Sequence, residues 1–207
     1  YCTRDDPCDL RYVIDAVAED GDILIVHSGT YTASLPTNDL IFIDKNLTLR
    51  GSCEFDATHP FRCYPDRHNS ILDGESDRRL IRVDGALGDE NVHIEGFTIM
   101  RGLGTAPGPC WAGYEGCGGA INATNLQNLT LKNNIIWQNK AGNTSGLGGG
   151  LFADVVDLLQ VENNTFQFNR ASQLGLGLGG AALVSESGGR NAVIFERNLI
   201  TGNETSS

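Results

Sequence analysis

An all-β solenoid of short, stacked strands is the fold class that the sequence predicts, and three observations support it. A glycine-led triplet recurs at intervals of about 30 residues, as Gly119–Ile121, Gly149–Leu151 and Gly180–Ala182. Each triplet precedes a strand of alternating apolar residues, an asparagine-centred turn and another strand. Glycine makes up 26 of the 207 residues, roughly twice its usual share, and tolerates the left-handed backbone that coil corners require.

Two asparagine positions recur at these turns and predict two stacked columns. The first column is Asn134, Asn164 and Asn198, and the second is Asn139, Asn169 and Asn203. Stacked side-chain amides can share hydrogen bonds, as they do in cross-β assemblies. Leucine-rich solenoids have a shorter repeat with a fixed leucine consensus, and propeller blades have a longer repeat. The pattern therefore favours a right-handed parallel β-helix.

The chain is predicted to form one β-helix domain over residues 1–207. Residues 1–21 are expected to be an N-terminal cap, and residues 22–117 to be irregular coils with loop insertions. Residues 118–207 are expected to form regular coils of about 30 residues each.

The N-terminal cap is predicted to be a short α-helix. Asp9 is a suitable N-cap residue, and Gly21 suits the position after the helix. The apolar stripe of the helix would consist of Leu10, Val13, Ile14 and Val17. Such a helix would cover the apolar interior of the first coil, which is otherwise exposed.

The six cysteines indicate an oxidising, extracellular compartment. They fall as three close pairs, Cys2/Cys8, Cys53/Cys63 and Cys110/Cys117, for which local disulfides are the simplest interpretation. A metal site would need tighter cysteine spacing with histidine nearby, so no metal or cofactor is expected. The chain begins at Tyr1, and its single methionine is Met100, which is typical of a processed product. The predicted location is extracellular or at the cell surface.

Acceptor motifs for N-linked sugar agree with a secreted protein. The Asn-x-Ser/Thr pattern occurs at Asn46, Asn122, Asn128, Asn143, Asn163 and Asn203. Asparagine and threonine are also common in turns and strands, so a repeat rich in both produces such motifs by chance.

Charge and hydropathy exclude two classes of partner. The formal net charge is −11, and no cluster of lysine and arginine suits nucleic acid or an anionic membrane surface. No apolar run is long enough to span a membrane. The partners that remain are cell-surface or matrix glycans and further copies of this chain.

The N-terminal residues resemble a known family. The segments Cys8–Val17, Gly21–Val26 and Gly29–Tyr31 resemble the opening of secreted right-handed parallel β-helix proteins of pectate-lyase-like fold, although Ile23 replaces a common threonine. The segments Gly118–Ile121 and Phe166–Asn169 resemble the repeats of polymorphic outer-membrane proteins. The resemblance implies export and surface display or adhesion. It implies little about activity, because this fold hosts many functions.

The catalytic motifs of related enzymes are largely missing. Asp5-Asp6 is the single match to the polygalacturonase elements, and Gly29–Ala33 lacks the glutamate of the methylesterase motif. The arginine-proline element of pectate lyases is absent, so no catalytic residue is assigned. Asp73, Asp77, Arg78 and Arg79 are expected around a corner, with Asp84 one coil later, and a solvated turn is the expected role of these residues. The acidic residues Asp154, Asp157 and Glu162 suggest either a weak calcium site or, more simply, a solvated face.

Three functions remain open. The first is an extracellular structural or adhesive surface protein, including a version in which subunits stack end to end into a filament. The second is a polysaccharide lyase or hydrolase with an unfamiliar site. The third is a non-catalytic glycan-binding module, which predicts an exposed row of aromatic residues drawn from Trp111, Tyr114 and Trp137.

Overall fold

The computed structural model describes residues 9–33, 38–55, 63–86, 88–105, 110–185 and 192–206. The predicted Cys2/Cys8 pair lies outside these residues, and so do the side chains of Cys53 and Cys63. One helical segment and 22 strands are found in the described part of the chain.

The helical segment is a single turn of α-helix, α1 (Leu10–Tyr12), that continues as a π-helical turn, Val13–Val17. The carboxylate of Asp9 accepts a hydrogen bond from the backbone N–H of Tyr12 at 3.1 Å, as an N-cap does. Ile14 is fully buried against the first coils, so the segment covers their interior. Val17 is 53% exposed, so the prediction that it belongs to the buried apolar stripe was wrong. A π-helical turn has a longer period than an α-helix, which rotates Val17 away from the stripe.

The strands of the N-terminal half are short. They are β1 (Asp22–Ile25), β2 (Gly29–Tyr31), β3 (Asp39–Ile43), β4 (Leu47–Arg50), β5 (Cys53–Phe55), β6 (Cys63–Pro65), β7 (Ser70–Asp73), β8 (Arg79–Asp84), β9 (Asn91–Glu95) and β10 (Thr98–Met100).

The C-terminal half contains two strands of 12 residues among shorter ones. Its strands are β11 (Gly116–Cys117), β12 (Ile121–Lys132), β13 (Ile135–Trp137), β14 (Lys140–Gly142), β15 (Ser145–Leu147), β16 (Leu151–Glu162), β17 (Thr165–Gln167), β18 (Arg170–Ser172), β19 (Leu176–Leu178), β20 (Ala182–Ser185), β21 (Ala192–Glu196) and β22 (Leu199–Thr201).

These strands stack into parallel sheets, one coil above the next. A nine-stranded sheet follows the order β1-β4-β9-β12-β16-β20, with β3, β8 and β21 paired beside this path. A six-stranded sheet follows β2-β7-β10-β13-β17-β22, and β11-β15-β19 and β14-β18 form smaller sheets. The pair β5–β6 is antiparallel and forms a separate two-stranded sheet. The predicted fold class, a parallel β-helix with a short N-terminal helical cap, is confirmed.

The two long strands each bend at one residue. The first part of β12 pairs with β8 and the second part pairs with β9, and the bend between them is Asn125. The corresponding residue of β16 is Val155, and both residues have a positive φ, 55° and 56°. Asparagine tolerates this conformation, whereas a β-branched valine is strained by it.

The interior of the coils is a continuous apolar core. Inward side chains stack in register, so that Leu49, Ile94, Leu131 and Val161 lie above one another and are all fully buried. Phe195 continues this column in β21, where it is 38% exposed. The last described coil therefore presents core-type side chains to solvent.

Candidate functional site

The first asparagine column fixes the corner between the nine-stranded and six-stranded sheets. Asn164 Oδ1 accepts hydrogen bonds from the backbone N–H and the Nδ2 of Asn134, at 2.9 and 3.0 Å. Asn198 Oδ1 accepts the same two bonds from Asn164, at 2.8 and 3.3 Å. Each Nδ2 also donates to a strand carbonyl, for example to Leu131 O at 2.8 Å. The column joins three coils through buried polar groups.

The second asparagine column has the same geometry at the far end of the six-stranded sheet. Asn169 Oδ1 accepts from the N–H and Nδ2 of Asn139, at 3.0 and 2.9 Å. Asn203 Oδ1 accepts from the N–H and Nδ2 of Asn169, at 2.9 Å for both. Asn139 and Asn169 are at most 1% exposed. Buried amides with their donors and acceptors used in this way stabilise one register of the coils.

A disulfide-stapled loop covers one side of the nine-stranded sheet. Cys110 and Cys117 are bonded, with their Cα atoms 5.6 Å apart. Cys117 packs with Leu147 and Phe152 in a small apolar cluster separate from the main core. Trp111, in the same loop, sits edge-on to Phe152 with ring centroids 5.9 Å apart.

Arg79 anchors the base of this loop. Its Nε donates to the carbonyl oxygens of Cys117 and Gly118, at 3.1 and 3.3 Å, and its Nη2 donates to Gly104 O at 3.0 Å. Its Nη1 pairs with Asp39 at 2.9 Å. Arg79 is 1% exposed, so the expectation that it lies in a solvated turn was wrong. The reason is that Arg79, the first residue of β8, is enclosed by chain segments distant in sequence, which supply the carbonyl oxygens of Gly104, Cys117 and Gly118.

Burial affects both members of the Arg79–Asp39 pair. Loss of solvent raises the pKa of the Asp39 carboxyl, and the nearby positive charge of Arg79 opposes that shift. Burial also lowers the pKa of Arg79, but a guanidinium starts from so high a value that it stays protonated at neutral pH. The pair is a structural ion pair that holds the loop.

The other residues of the predicted corner are also engaged. Asp73 is 3% exposed and forms a two-pronged ion pair with Arg101, whose Nε lies 2.9 Å from Asp73 Oδ1. Arg78 is 8% exposed and pairs with Asp77 at 3.2 Å. Asp73 and Arg78 therefore depart from the expected solvated turn, because neighbouring coils and loops cover them. Asp84 pairs with Arg82 at 2.8 Å and accepts from Thr124 Oγ1 at 3.0 Å.

The three acidic residues considered for calcium do not converge. Asp154 accepts a hydrogen bond from Trp111 Nε1 at 3.2 Å, whereas Glu162 pairs with Lys132 at 3.6 Å and with Arg197. Asp157 lies at the edge of a shallow cleft of about 360 Å³ beside Val155. Within the described residues, no group of three or more His, Cys, Asp or Glu is placed to hold a metal ion.

The predicted aromatic row is not formed as expected. Trp111 and Tyr114 pack against the small cluster around Phe152, on the nine-stranded sheet. Trp137 lies in β13, which belongs to the six-stranded sheet. The separation arises because Trp111 and Tyr114 are carried by the stapled loop rather than by the repeat.

A different surface feature brings chemically useful groups together. An open cleft of about 320 Å³ lies beside the second asparagine column, and three successive coils contribute to it. One row of its lining is Arg101, Gln138 and Phe168, which have φ values of 55°, 53° and 55° and thus occupy the same turn position. A second row includes Lys140 and Arg170, which are partners in the β14–β18 pair.

Three basic side chains line the cleft, and two of them are ion-paired. Lys140 Nζ donates to the amide oxygens of Asn143 and Gln173, at 2.8 and 3.0 Å. Arg101 is held by Asp73, and Arg170 by Glu204. Phe168 is 53% exposed and adds an aromatic face. Cations, amides and an exposed ring in one cleft can bind a polar ligand with hydroxyl or anionic groups.

Sequence reasoning did not identify this cleft. Its lysine, arginine, glutamine and phenylalanine occupy the positions immediately before and after the asparagines of the second column, as in Gln138-Asn139-Lys140 and Phe168-Asn169-Arg170. The signal was therefore present in the repeat, one residue to either side of the asparagines.

Comparison with known families identifies the fold family. Residues 85–207, more than half of the chain, match the family described as right-handed β-helix region. The chain belongs to this family. A search of the curated proteins and a search of the solved structures found no significant match. For this β-helix the family sets the architecture and leaves activity open. The described part of the chain contains no helix with the length and apolar character of a membrane span.

Proposed function

We propose that this β-helix is an extracellular structural or adhesive surface protein that presents its outward side chains to a partner. The observation that carries the proposal is the cleft beside the second asparagine column, to which three successive coils contribute basic, amide and aromatic side chains at matching positions. Because neighbouring strands lie ~4.8 Å apart, such side chains repeat at that spacing along the solenoid. A surface of this kind suits a partner that also carries repeating polar groups.

The asparagine columns support the same role. They tie consecutive coils together through buried hydrogen bonds, so the outward rows keep a fixed register. Because the backbone that carries these side chains is already ordered, binding a repeating partner does not incur the entropic cost of ordering it. Such preorganisation is useful for adhesion to an extended surface.

The partner class that we propose is glycans at a cell surface or in a matrix. The second candidate function is a non-catalytic glycan-binding module. Phe168 offers an exposed ring for sugar stacking, and Lys140 and Arg170 offer donors for hydroxyl or acidic groups. The lyase or hydrolase alternative has less support, because Asp73 is nearly buried and already ion-paired with Arg101.

The test is binding of the purified protein to an array of cell-surface and matrix glycans, followed by titration of the best ligand. We expect Phe168→Ala and Lys140→Ala each to weaken binding by about tenfold, the equivalent of ~1.4 kcal/mol. Lys132→Ala, on the outer face of the nine-stranded sheet, is the matched control and should bind like wild type. Absence of binding to every glycan and to intact cells would refute the adhesive role. Equal binding by all variants would exclude the cleft.

The extracellular location is tested separately. Antibodies raised against the protein should label intact, non-permeabilised cells of the source organism, or detect the protein in the medium. Labelling only after permeabilisation would overturn the location.

End-to-end stacking is the second part of the proposal. Among the described residues, β21 and β22 are edge strands, and they carry exposed Phe195 and Ile200 at positions that are buried one coil earlier. Edge strands readily pair with further strands. The occupant that we propose is a second copy of this chain. Phe195→Lys should abolish association measured by sedimentation and electron microscopy. Ile194→Lys is the control, because Ile194 is equally exposed but points outward from the same strand. Wild-type protein that stays monomeric at high concentration would refute stacking.

A further inference from the structure

The six acceptor motifs for N-linked sugar differ sharply in their surroundings. In attachment, the asparagine Nδ2 loses one proton and bonds to a sugar transferred from a lipid-diphosphate donor, whose diphosphate is the leaving group. The product requires room for a bulky, solvated sugar. An asparagine can therefore carry sugar in the folded protein only if its amide is exposed and its hydrogen bonds are dispensable. The structure sorts the six asparagines by these two criteria.

Two of the asparagines are incompatible with sugar. Asn122 is fully buried in β12, between Arg82 of β8 and Phe152 of β16. Asn203 uses its Nδ2 to donate to Phe166 O and Thr201 O, at 2.8 and 3.1 Å. Its Oδ1 accepts two bonds within the second asparagine column. Sugar on either side chain would displace a packed neighbour or break the column.

Three asparagines are only partly exposed and have engaged amides. Asn46 Nδ2 donates to Asp20 Oδ1 at 2.9 Å, and its Oδ1 accepts two bonds from Asn91. Asn128 Nδ2 donates to Asn91 Oδ1. Asn143 Nδ2 donates to Glu115 Oε1 at 3.4 Å, and its Oδ1 accepts from Lys140. Sugar on these residues would cost surface hydrogen bonds.

Asn163 meets both criteria. It is exposed, and it occupies a turn position with a φ of 55° between β16 and β17. Its Nδ2 donates to Asn133 Oδ1 at 3.3 Å, a surface bond that water can replace at little cost. The corresponding bond of Asn143 is equally weak, but Asn143 is only partly exposed and its Oδ1 also accepts from Lys140.

We propose that Asn163 is the preferred site of N-linked glycosylation, that Asn122 carries no sugar because it is buried, and that Asn203 carries none because its amide is bonded within the second asparagine column. This inference rests on the proposed extracellular function, since N-linked sugar is added along the secretory route. The acceptor motif occurs six times and does not by itself rank the six asparagines, whereas their structural surroundings do.

The experiment is site-by-site glycopeptide mass spectrometry of the folded protein, secreted from a eukaryotic host under a host leader peptide. We expect Asn163 to show the highest occupancy and the peptides with Asn122 and Asn203 to be unmodified. Sugar on Asn122 or Asn203 in folded protein would overturn the proposal. So would a lower occupancy at Asn163 than at any other asparagine.

Variants separate sugar loss from misfolding. Asn163→Gln should remove the mass of one glycan, and Thr165→Val should remove the same glycan while leaving the asparagine in place. Asn133→Gln is the matched control, because Asn133 occupies the equivalent turn one coil earlier with a φ of 54° and lies outside any acceptor motif. It should secrete with its glycan mass unchanged. An unchanged mass for Thr165→Val would refute the assignment even if Asn163→Gln fails to fold.

The host leader makes this result independent of the natural destination of the protein. A wrong glycan pattern in the host would refute the inference alone. A natural protein found only inside cells would refute the proposed function and leave the host pattern standing.

Discussion

Replacing Asn164 with alanine should destabilise the β-helix more than any surface change of similar size. Asn164 is 1% exposed and lies in the middle of the first asparagine column. Its Oδ1 accepts from the N–H and Nδ2 of Asn134, and its Nδ2 donates to Leu131 O, Glu162 O and Asn198 Oδ1, with all five distances between 2.8 and 3.3 Å. Alanine can form none of these bonds.

The magnitude follows from the groups left behind. The N–H of Asn134 and the carbonyl of Leu131 lose these partners in a region closed to bulk water, and an unsatisfied buried group costs about 1–3 kcal/mol. With a small cavity added, Asn164→Ala should lower the free energy of unfolding by about 4 kcal/mol. Asn203→Ala, in the more exposed last coil, should cost about 1–2 kcal/mol by the same reasoning.

Urea unfolding followed by circular dichroism measures the difference. At an m-value of about 2 kcal/mol/M, the midpoint for Asn164→Ala should fall by roughly 2 M. Gln160→Ala, on the outer face of the preceding strand β16, is the control and should stay within about 0.5 kcal/mol of wild type. A cost for Asn164→Ala as small as that of the control would refute the stabilising role of the column. So would additive costs in the double variant with Asn134→Ala, because directly bonded residues should couple.

Three further predictions concern other parts of the molecule. Val155→Asn should stabilise the protein by about 1 kcal/mol, because asparagine tolerates the left-handed backbone there, and Asn125→Val should destabilise it in the same urea assay. Replacing Cys110 and Cys117 with serine should lower the unfolding free energy by about 2 kcal/mol, the value expected for a short closed loop, and a thermal melt unchanged from wild type would contradict this. Glu115 has a pKa below its usual value, chiefly because the backbone N–H of Thr144 donates a hydrogen bond to its carboxylate. The stability that it contributes is therefore present above about pH 4.5 and lost on acidification, so Glu115→Gln should cost less at pH 3 than at pH 7.

The fold could be predicted because the repeat indicates both which strands pair and which side chains face inward. A period of about 30 residues fixes which strands become neighbours. Alternation within Leu129–Lys132 and Leu159–Glu162 fixes which side chains face inward, and these segments pair in register. The prediction needed only local pattern and repetition.

Arg79 shows where that reasoning stops. Its partners Asp39, Gly104 and Cys117 lie 25 to 40 residues away in sequence. Gly104 precedes the stapled loop and Cys117 ends it. In the sequence alone, an arginine that follows Asp77 and Arg78 indicates a solvated turn. Only the stacking of coils reveals that it is enclosed.

Function in this β-helix is expected where the repeat leaves residues unconstrained. Inward positions must be apolar and column positions must be asparagine, so their identity reports stacking alone. The positions that flank the second column have no such duty, yet they carry Gln138 and Lys140 in one coil and Phe168 and Arg170 in the next. Lys140 and Arg170 also bond to Asn143, Gln173 and Glu204 within the protein. The exposed ring of Phe168 beside them is the feature that a partner would explain best. The cleft variants test that explanation directly, because they leave the core and both columns untouched.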